Sequence, residues 1–143
     1  TRGGCAMAVT RGDVLRPLTA LADGARATWF LPSIQPSAAR KQWIAGMKPL
    51  GTLFVDQGAA SALRRGKSLL PAGVREVEGD FQRADPVAIA TVEGEAVGAA
   101  LAGYNANDAR AIAGRHSDAI EDILGYPGRA AMIHADDIVI WGT

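Results

Sequence analysis

The sequence predicts an α+β protein, in which a small mixed β-barrel with short helices follows a strand, a helix and a strand of another domain. Three observations support this. From Gly51 onward, short apolar segments alternate with Gly, Pro and Asp turn signals. The helix-like segments in that region are short and carry capping residues. Before Ser33, two apolar stretches flank a segment with helical spacing of its apolar residues.

Residues 1–32 predict a strand at Cys5–Val9, a helix at Val14–Leu21 and a strand at Ala27–Leu31. Pro17 fits such a helix only near its N-terminus. A stretch as apolar as Cys5–Val9 is typical of a sheet that helices cover on both faces. We therefore expect the chain to be a fragment whose first strand has partners upstream of Thr1.

Residues 33–50 are predicted as an interdomain linker because the composition becomes polar and basic and includes Pro36. Trp43 follows the most polar part. Two interpretations of this tryptophan are open, and packing between domains is favoured over contact with a ligand.

Residues 51–143 predict the barrel domain. A helix is predicted at Gln57–Arg65, with Asp56 as its N-cap and Gly66 at its end. Two further helices are expected, one at Asn107–Ala113 with Asn105 or Asn107 as cap, the other at Ser117–Leu124. The predicted strands are Thr52–Val55, Val74–Phe81, Val87–Val92, Ala96–Leu101 and Met132–Trp141, with a tight turn at Glu93-Gly94. Most neighbouring strands are expected to be antiparallel, in a closed or nearly closed barrel with helical lids.

Composition limits the classes of partner. Of the 143 residues 48% are apolar, enough for a core without metals or disulfides, and 15 basic residues balance 15 acidic ones. A net charge of zero gives no long-range attraction to nucleic acid or anionic lipid. Cys5 is the single cysteine, and no stretch predicts a membrane span or a signal peptide, so a reducing cytoplasm is the expected location.

The residues themselves predict no catalytic, cofactor-binding or metal site. His116 and His134 are the two histidines, and their spacing fits no zinc site. Asp136 and Asp137 beside His134 suggest a metal or acid–base group as one interpretation. Adjacent strand residues point to opposite faces, so a solvated turn is favoured. His116 is expected to cap or flank the following helix.

Six segments, taken as an ordered set, resemble the C-terminal part of bacterial glutamate 5-kinase. They are RKQWIAG, GTLFVDQGA, GKSLLPAGV, VEGDFQRAD, IAGRHSDAIEDILGY and IHADDIV. The resemblance implies that residues 1–32 are the end of an α/β/α amino-acid kinase domain and that residues 51–143 form a PUA domain. It also implies a parent enzyme that phosphorylates the glutamate side chain in proline biosynthesis.

The resemblance further implies that ATP and magnesium belong to the full-length parent, with none held by this chain. Phosphoryl transfer needs a glycine-rich loop, a lysine and magnesium-binding carboxylates. In the family these lie in the upstream kinase domain, which would be the partner of this segment, and the full-length enzyme would form homo-oligomers. Arg2-Gly3-Gly4-Cys5 is interpreted as a turn rather than as a remnant of the nucleotide loop.

Two positions differ from the family pattern. Ala84 stands where relatives carry the glycine of an FxRG turn, so the turn is expected either not to need a positive φ or to be shifted, with Pro86 fixing it. Ala135 stands where relatives carry the arginine of HRDD, which removes a cation beside two carboxylates.

One basic cluster remains a candidate RNA or anion patch, made of Arg64, Arg65, Lys67, Arg110 and Arg115. Arg64, Arg65 and Lys67 lie near the end of a helix, where positive side chains interact favourably with the negative end of the helix dipole. This structural role is preferred over ligand binding. For RNA binding, Phe81 and Tyr104 are the nearby aromatic candidates for stacking.

Three functional hypotheses follow. The favoured one is a regulatory or assembly segment of glutamate 5-kinase, acting through an interface around Trp29, Trp43 and Ile44. The second is a free-standing RNA-binding PUA module. The third is a truncated relative retained as a structural domain.

Overall fold

The structure is a computed structural model that describes residues 4–142, and the chain divides into two compact units between Arg40 and Lys41. The first unit contains β1 (Met7–Thr10), α1 (Pro17–Ala22) and β2 (Ala27–Phe30). The two strands are antiparallel, with Met7 opposite Phe30. The predicted order of strand, helix and strand is confirmed. The helix starts at Pro17, three residues later than predicted, because proline is preorganised for the first helical position and needs no N–H acceptor there.

The segment predicted as a linker contains a ten-residue helix, α2 (Pro36–Ala45). Pro36 occupies its first position, and the carbonyl oxygen of Gln35 accepts from the N–H of Ala39 at 3.0 Å. The division between the two units falls inside this helix. Pro36 was interpreted as a sign of a linker, whereas a proline at the first helical position favours a helix start.

The second unit is built on one five-stranded mixed sheet. Its strands are β3 (Gly51–Val55), β4 (Val74–Gly79), β5 (Pro86–Thr91), β6 (Ala96–Leu101) and β7 (Ile138–Ile140). They lie in the order β4-β3-β5-β6-β7, and only the β3–β5 pair is parallel. Together with the short helices, this confirms the α+β class with a mixed sheet. Over residues 4–142 the sheet is open, with β4 and β7 at its edges.

The last predicted strand, Met132–Trp141, is too long. A 3-10 turn at Ala135–Asp137 interrupts it, and the Nδ1 atom of His134 accepts from the N–H of Asp136 at 3.2 Å. Ile133, before the turn, makes an isolated antiparallel bridge with Leu69. The capped turn explains why β7 begins only at Ile138.

The second unit also contains three short helices, α3 (Gln57–Arg64), α4 (Ala106–Ile112) and α5 (Ile120–Leu124). Asp56 caps α3 as predicted, and of the two candidate caps for α4 the structure has Asn105, whose side chain accepts from the N–H of Asp108. The predicted helix at Ser117–Leu124 begins as a 3-10 turn, and the side chain of His116 caps that turn, as expected. The fully buried side chains include Leu53, Val55, Leu63, Val74, Val87, Ile89, Ile112 and Ile120.

The turn at Ala84 contradicts both expectations for it. Ala84 has φ of +71° and is the single non-glycine residue with positive φ in the described part of the chain. Asp85 donates its N–H to the carbonyl oxygen of Gln82 at 3.1 Å, and the Asp85 carboxylate accepts from the Gln82 N–H at 2.8 Å. Ala84 itself donates to the carbonyl oxygen of Ala102 at 2.7 Å. These bonds hold an alanine in the left-handed region, which costs roughly 1 kcal/mol.

Candidate functional site

The five residues of the predicted basic patch fall into two groups in the structure. Arg64, in the last turn of α3, forms an ion pair with Glu95, with 2.6 Å between Nη2 and Oε1. Arg110, on α4, donates from Nε to the carbonyl oxygen of Val77 at 3.2 Å and also donates to the carbonyl oxygen of Gly79. Both guanidinium groups therefore have structural partners.

Arg65, Lys67 and Arg115 form the second group. Their side chains are exposed and make no hydrogen bond or ion pair with other residues of the described chain. Lys67 lines a cleft of about 550 Å³, called here the α3 cleft, together with Asp56, Ala59, Ala62, Ser68, Leu69, Leu70, Ala72 and Gly73. Arg115 follows Gly114, whose N–H donates to the carbonyl oxygen of Pro71 at 2.8 Å. Lys67 and Arg115 are thus held near the same short turn, Pro71–Gly73.

Asp56 lies at the start of α3 and at the rim of this cleft. Its Oδ1 accepts from the N–H of Ala59 at 2.8 Å, and its Oδ2 accepts from Arg75 at 2.7 Å. The hydrogen bond from Ala59, and after it the bond and charge of Arg75, lower the pKa of this carboxyl below its usual value. The carboxylate therefore stabilises the start of the helix. Because both of its oxygens already have partners, it contributes no unpaired charge to the cleft.

The two aromatic residues considered for base stacking are both buried. Phe81 and Tyr104 belong to the hydrophobic core of the second unit. Tyr104 in addition donates its hydroxyl to the carbonyl oxygen of Arg129 at 2.5 Å. Phe81 is 2% exposed and Tyr104 is 5% exposed, so neither residue offers the ring surface that stacking on a base needs.

The group around His134 does not form a metal site. Asp136 and Asp137 lie in a 3-10 turn and not on a strand, so the argument from alternating strand faces does not apply to them. His134 uses Nδ1 to cap that turn, which is a structural function. Within residues 4–142 no three His, Cys, Asp or Glu side chains come together in a way that would hold a metal ion.

In the segment Arg2-Gly3-Gly4-Cys5, which was interpreted as a turn, the backbone conformation at Gly4 requires a glycine. Its φ is +71°, and a Cβ there would lie 2.7 Å from the Cα of Pro36. Arg2 and Gly3 lie outside the described residues. A structural requirement therefore accounts for Gly4.

Of the three residues proposed for an interface, Trp29, Trp43 and Ile44, one is not available at the surface. Ile44 is 0% exposed and packs with Ala99 and Leu101 on the sheet of the second unit. Trp43 is 57% exposed and Trp29 is 56% exposed, so each of these indoles has surface to offer within its own unit.

Sequence reasoning missed a hydrogen bond between two distant residues, Tyr126 and Asp108. The Tyr126 hydroxyl donates to Oδ2 of Asp108 at 2.5 Å, which raises the pKa of Tyr126 to about 12. Asp108 lies in the first turn of α4, and Tyr126 follows Gly125 after α5. Nothing in their spacing marks the pair, because only the packing of the two helices brings them together.

No helix among residues 4–142 is long and apolar enough to cross a membrane.

The chain matches one family model and several curated proteins. The family model described as "PUA domain" matches residues 51–124. The chain is 60% identical over 138 residues to glutamate 5-kinase of Paracoccus denitrificans, covering 96% of this chain and 37% of that protein. It is 56% identical over 144 residues to glutamate 5-kinase of Agrobacterium fabrum, covering 100% of this chain and 37% of the relative.

Two solved structures are also similar. A PUA domain from Aeropyrum pernix, solved as a tartrate complex, has a TM-score of 0.43 at 29% identity and covers 59% of this chain and 41% of its own. A chain of the archaeal box H/ACA sRNP Nop10–Cbf5 complex has a TM-score of 0.43 at 20% identity, covering 64% of this chain and 23% of its own. The chain spans a little over a third of the length of the curated relatives, at 37% of each of the two named above.

Proposed function

The chain belongs to the PUA domain family over residues 51–124, and from this premise we propose that it is the C-terminal, PUA-containing part of a glutamate 5-kinase. The observation that carries the proposal is the identity of 60% over 96% of the chain to an enzyme of that name. The chain matches 37% of that enzyme, so the rest of it would supply an upstream kinase domain.

The surface of the first unit supports an upstream partner. Leu15 is 90% exposed and Leu18 is 81% exposed, and no residue of α1 is buried. Met7, Val9, Trp29, Phe30 and Leu31 are also exposed large apolar residues of this unit. A concentration of exposed large apolar residues is typical of a surface that another part of a protein covers. We attribute the cover to the kinase domain of the same protein.

In the second unit, several of the charged side chains are engaged in structural bonds. Asp56 caps α3 and binds Arg75, Asp85 closes the turn at Ala84, and Arg110 binds the edge of β4. We therefore assign the transfer of a phosphoryl group from ATP to the glutamate side chain, with its magnesium, to the upstream domain. The role of this segment is regulation or assembly of the enzyme that begins proline biosynthesis, in the cytoplasm.

The test is a chimera in which this chain replaces the matching part of the Paracoccus denitrificans enzyme. We expect the chimera to phosphorylate glutamate at a rate comparable to that enzyme and to keep its oligomeric state. The upstream part alone should differ in its KM for glutamate or in its oligomeric state, because the regulatory segment is missing. The 143-residue chain alone should show no glutamate-dependent ATP turnover.

Three outcomes would contradict the proposal. Turnover by the isolated chain would contradict the assignment of catalysis to the upstream domain. A folded but inactive chimera would argue against membership of this enzyme. Identical kinetics and assembly with and without the segment would argue against a regulatory or assembly role.

RNA binding is a second candidate function, which the α3 cleft favours because Lys67 lies at its rim and the unpaired Arg115 lies beside the adjoining turn. The zero net charge and the burial of Phe81 and Tyr104 weigh against it. A short unstructured RNA titrated at physiological salt tests it. Tight binding that Lys67→Ala and Arg115→Ala weaken, and that Glu76→Ala leaves unchanged, would establish it in place of the regulatory role.

A further inference from the structure

A second concavity of about 370 Å³, called here the tyrosine cleft, lies away from the α3 cleft and plays no part in the proposed function. Its walls come from the turn before β5, the start of α4 and the loop after α5. The residues on which its chemistry depends are Arg83, Tyr104, Asp108, Tyr126, Gly128 and Arg129. Its volume is in the range of sites for small molecules.

The loop that forms one wall is fixed by contacts on both sides. The Tyr104 hydroxyl donates to the carbonyl oxygen of Arg129 at 2.5 Å, and the Ser117 hydroxyl donates to that of Ala130 at 2.8 Å. Gly128 approaches so closely that a Cβ there would lie 2.5 Å from the Tyr104 hydroxyl oxygen and 2.8 Å from Cγ2 of Ile120. The cleft is therefore largely preformed, which lowers the ordering cost of binding a ligand.

The opposite wall holds Arg83 in the turn that contains the strained Ala84. Hydrogen bonds from Ala84 and Ala102 fix this turn to the adjacent chain, at 2.7 Å to the carbonyl oxygen of Ala102 and 2.8 Å to that of Asp85. Arg83 directly precedes Ala84, whose positive φ is unusual for a residue other than glycine. The backbone conformation of the turn therefore determines where Arg83 lies. Strain of this kind persists where surrounding bonds enforce it and is frequent at binding sites.

The charges in the cleft leave two cations available. The guanidinium groups of Arg83 and Arg129 have no hydrogen-bonded or ionic partner among residues 4–142. Both act on the Tyr104 phenol, where they oppose the rise in pKa that burial causes. The Asp108 carboxylate, by contrast, already accepts from Tyr126 at 2.5 Å and from Nδ2 of Asn105 at 3.3 Å. The balance of these three charges is positive, and the negative one is engaged.

We propose that the tyrosine cleft binds a small organic anion through the guanidinium groups of Arg83 and Arg129. Guanidinium groups bind carboxylates and phosphates through paired N–H donors, so the ligand is a phosphomonoester or a carboxylate. The exposed ring of Tyr126 offers an apolar surface for the body of that ligand. The size of the cleft and the zero net charge of the chain favour a small molecule over a polyanion such as RNA.

The experiment is a titration of the whole chain followed by NMR of backbone amides. The probes are inorganic phosphate, adenosine monophosphate and citrate, with adenosine as the uncharged control. We expect the amides of Arg83, Gly128 and Arg129 to shift with each anion and not with adenosine. Dissociation constants on the order of millimolar are expected for inorganic phosphate, which offers little surface beyond its charge. A response to adenosine monophosphate but not to citrate would assign the ligand as a phosphomonoester, and the reverse as a carboxylate.

Variants decide whether the two guanidinium groups bind the anion. Arg83→Gln combined with Arg129→Gln should weaken binding at least about tenfold, the change expected when charge-assisted hydrogen bonds are lost. Lys48→Gln removes an exposed, unpaired charge elsewhere in the same unit and should leave binding unchanged. All three side chains are exposed, so these variants should fold, and the unshifted amides of the core confirm it.

Three results would overturn the proposal. One is an equal response of the double variant and the unchanged chain. Another is an anion response confined to Arg65, Lys67 and Arg115. The third is a short RNA that binds at the tyrosine cleft more tightly than adenosine monophosphate does and with a steep dependence on salt, which would make the site a nucleic-acid surface.

Discussion

The guanidinium group of Arg110 lies against the outer edge of β4, where Nε donates to the carbonyl oxygen of Val77 at 3.2 Å. The same side chain donates to the carbonyl oxygen of Gly79. Because β4 is an edge strand, the backbone groups on its outer side have no partner strand and would otherwise be open to pairing with another chain. Arg110 thus satisfies and covers the exposed edge.

Arg110→Met should destabilise the chain and promote its self-association. Methionine keeps much of the aliphatic stem but loses the bonds to two carbonyl oxygens, and we expect a loss of about 1–2 kcal/mol in the free energy of unfolding. Urea denaturation measures this loss, and sedimentation velocity across a concentration series measures association. Arg115→Met is the matched control and should change neither. A monomeric Arg110→Met variant of unchanged stability would refute the role assigned to the edge.

Arg64→Ala should cost more stability than Arg65→Ala or Lys67→Ala. All three lose a favourable interaction with the C-terminal end of α3, worth a few tenths of a kcal/mol each. Arg64 also loses its ion pair with Glu95, which is partly exposed and worth about 0.5 kcal/mol. A double-mutant cycle with Glu95→Ala isolates the pair, and high salt should reduce the coupling. A coupling energy of zero at low salt would show that the pair contributes nothing.

Ala84→Gly should stabilise the chain. Glycine adopts φ of +71° without the steric cost that alanine meets, and after allowance for its greater freedom in the unfolded chain the gain is about 0.5–1 kcal/mol. The matched control is Ala111→Gly, the same substitution at an exposed position of α4, which should destabilise by about 1 kcal/mol. If both variants lose stability by similar amounts in thermal or urea unfolding, Ala84 does not carry the strain described.

Asp56→Ala should destabilise α3 by about 1 kcal/mol, since the N–H of Ala59 loses its capping acceptor. The folded-state pKa of Asp56 is lowered, so its contribution is present above the unfolded pKa and is lost as pH falls through the folded one. Asp56→Asn keeps a capping oxygen but cannot titrate. We expect its stability to fall less between neutral pH and acid than that of the unchanged chain, and parallel pH profiles would contradict this.

The sequence predicted the second unit well because its signals are local. Asp56 and Asn105 lie at helix starts, Gly66 and Gly125 follow helix ends, and the apolar stretches have the lengths of strands. Such signals fix where elements begin and end whatever the tertiary packing. The parallel pairing of β3 with β5 is not local, and no turn signal indicates it.

The differences between the sequence-based expectations and the structure have identifiable physical causes. The segment around Pro36 was predicted as a linker from its polar composition, and it contains a helix in which Ala39 and Ile44 are buried, because a helix with few buried positions needs few apolar residues. Ala84 was expected to avoid a positive φ, but the hydrogen bonds of its turn outweigh the preference of alanine. The basic patch was assembled from sequence proximity to helix ends, whereas Arg64 and Arg110 are engaged by partners more than thirty residues away.

The parallel register of β3 and β5 has a consequence for how fast this unit reaches its native state. Gly51 pairs with Val87, and the chain between the two strands contains α3 and the whole of β4. This long segment must form a loop before β3 and β5 can pair. Closing a loop of that length loses chain entropy before the contacts that reward it are made. Refolding is therefore expected on the slower millisecond-to-second scale typical of sheets with distant partners. During that interval β4 and β5 are without their shared neighbour, and the chain is most exposed to misassembly.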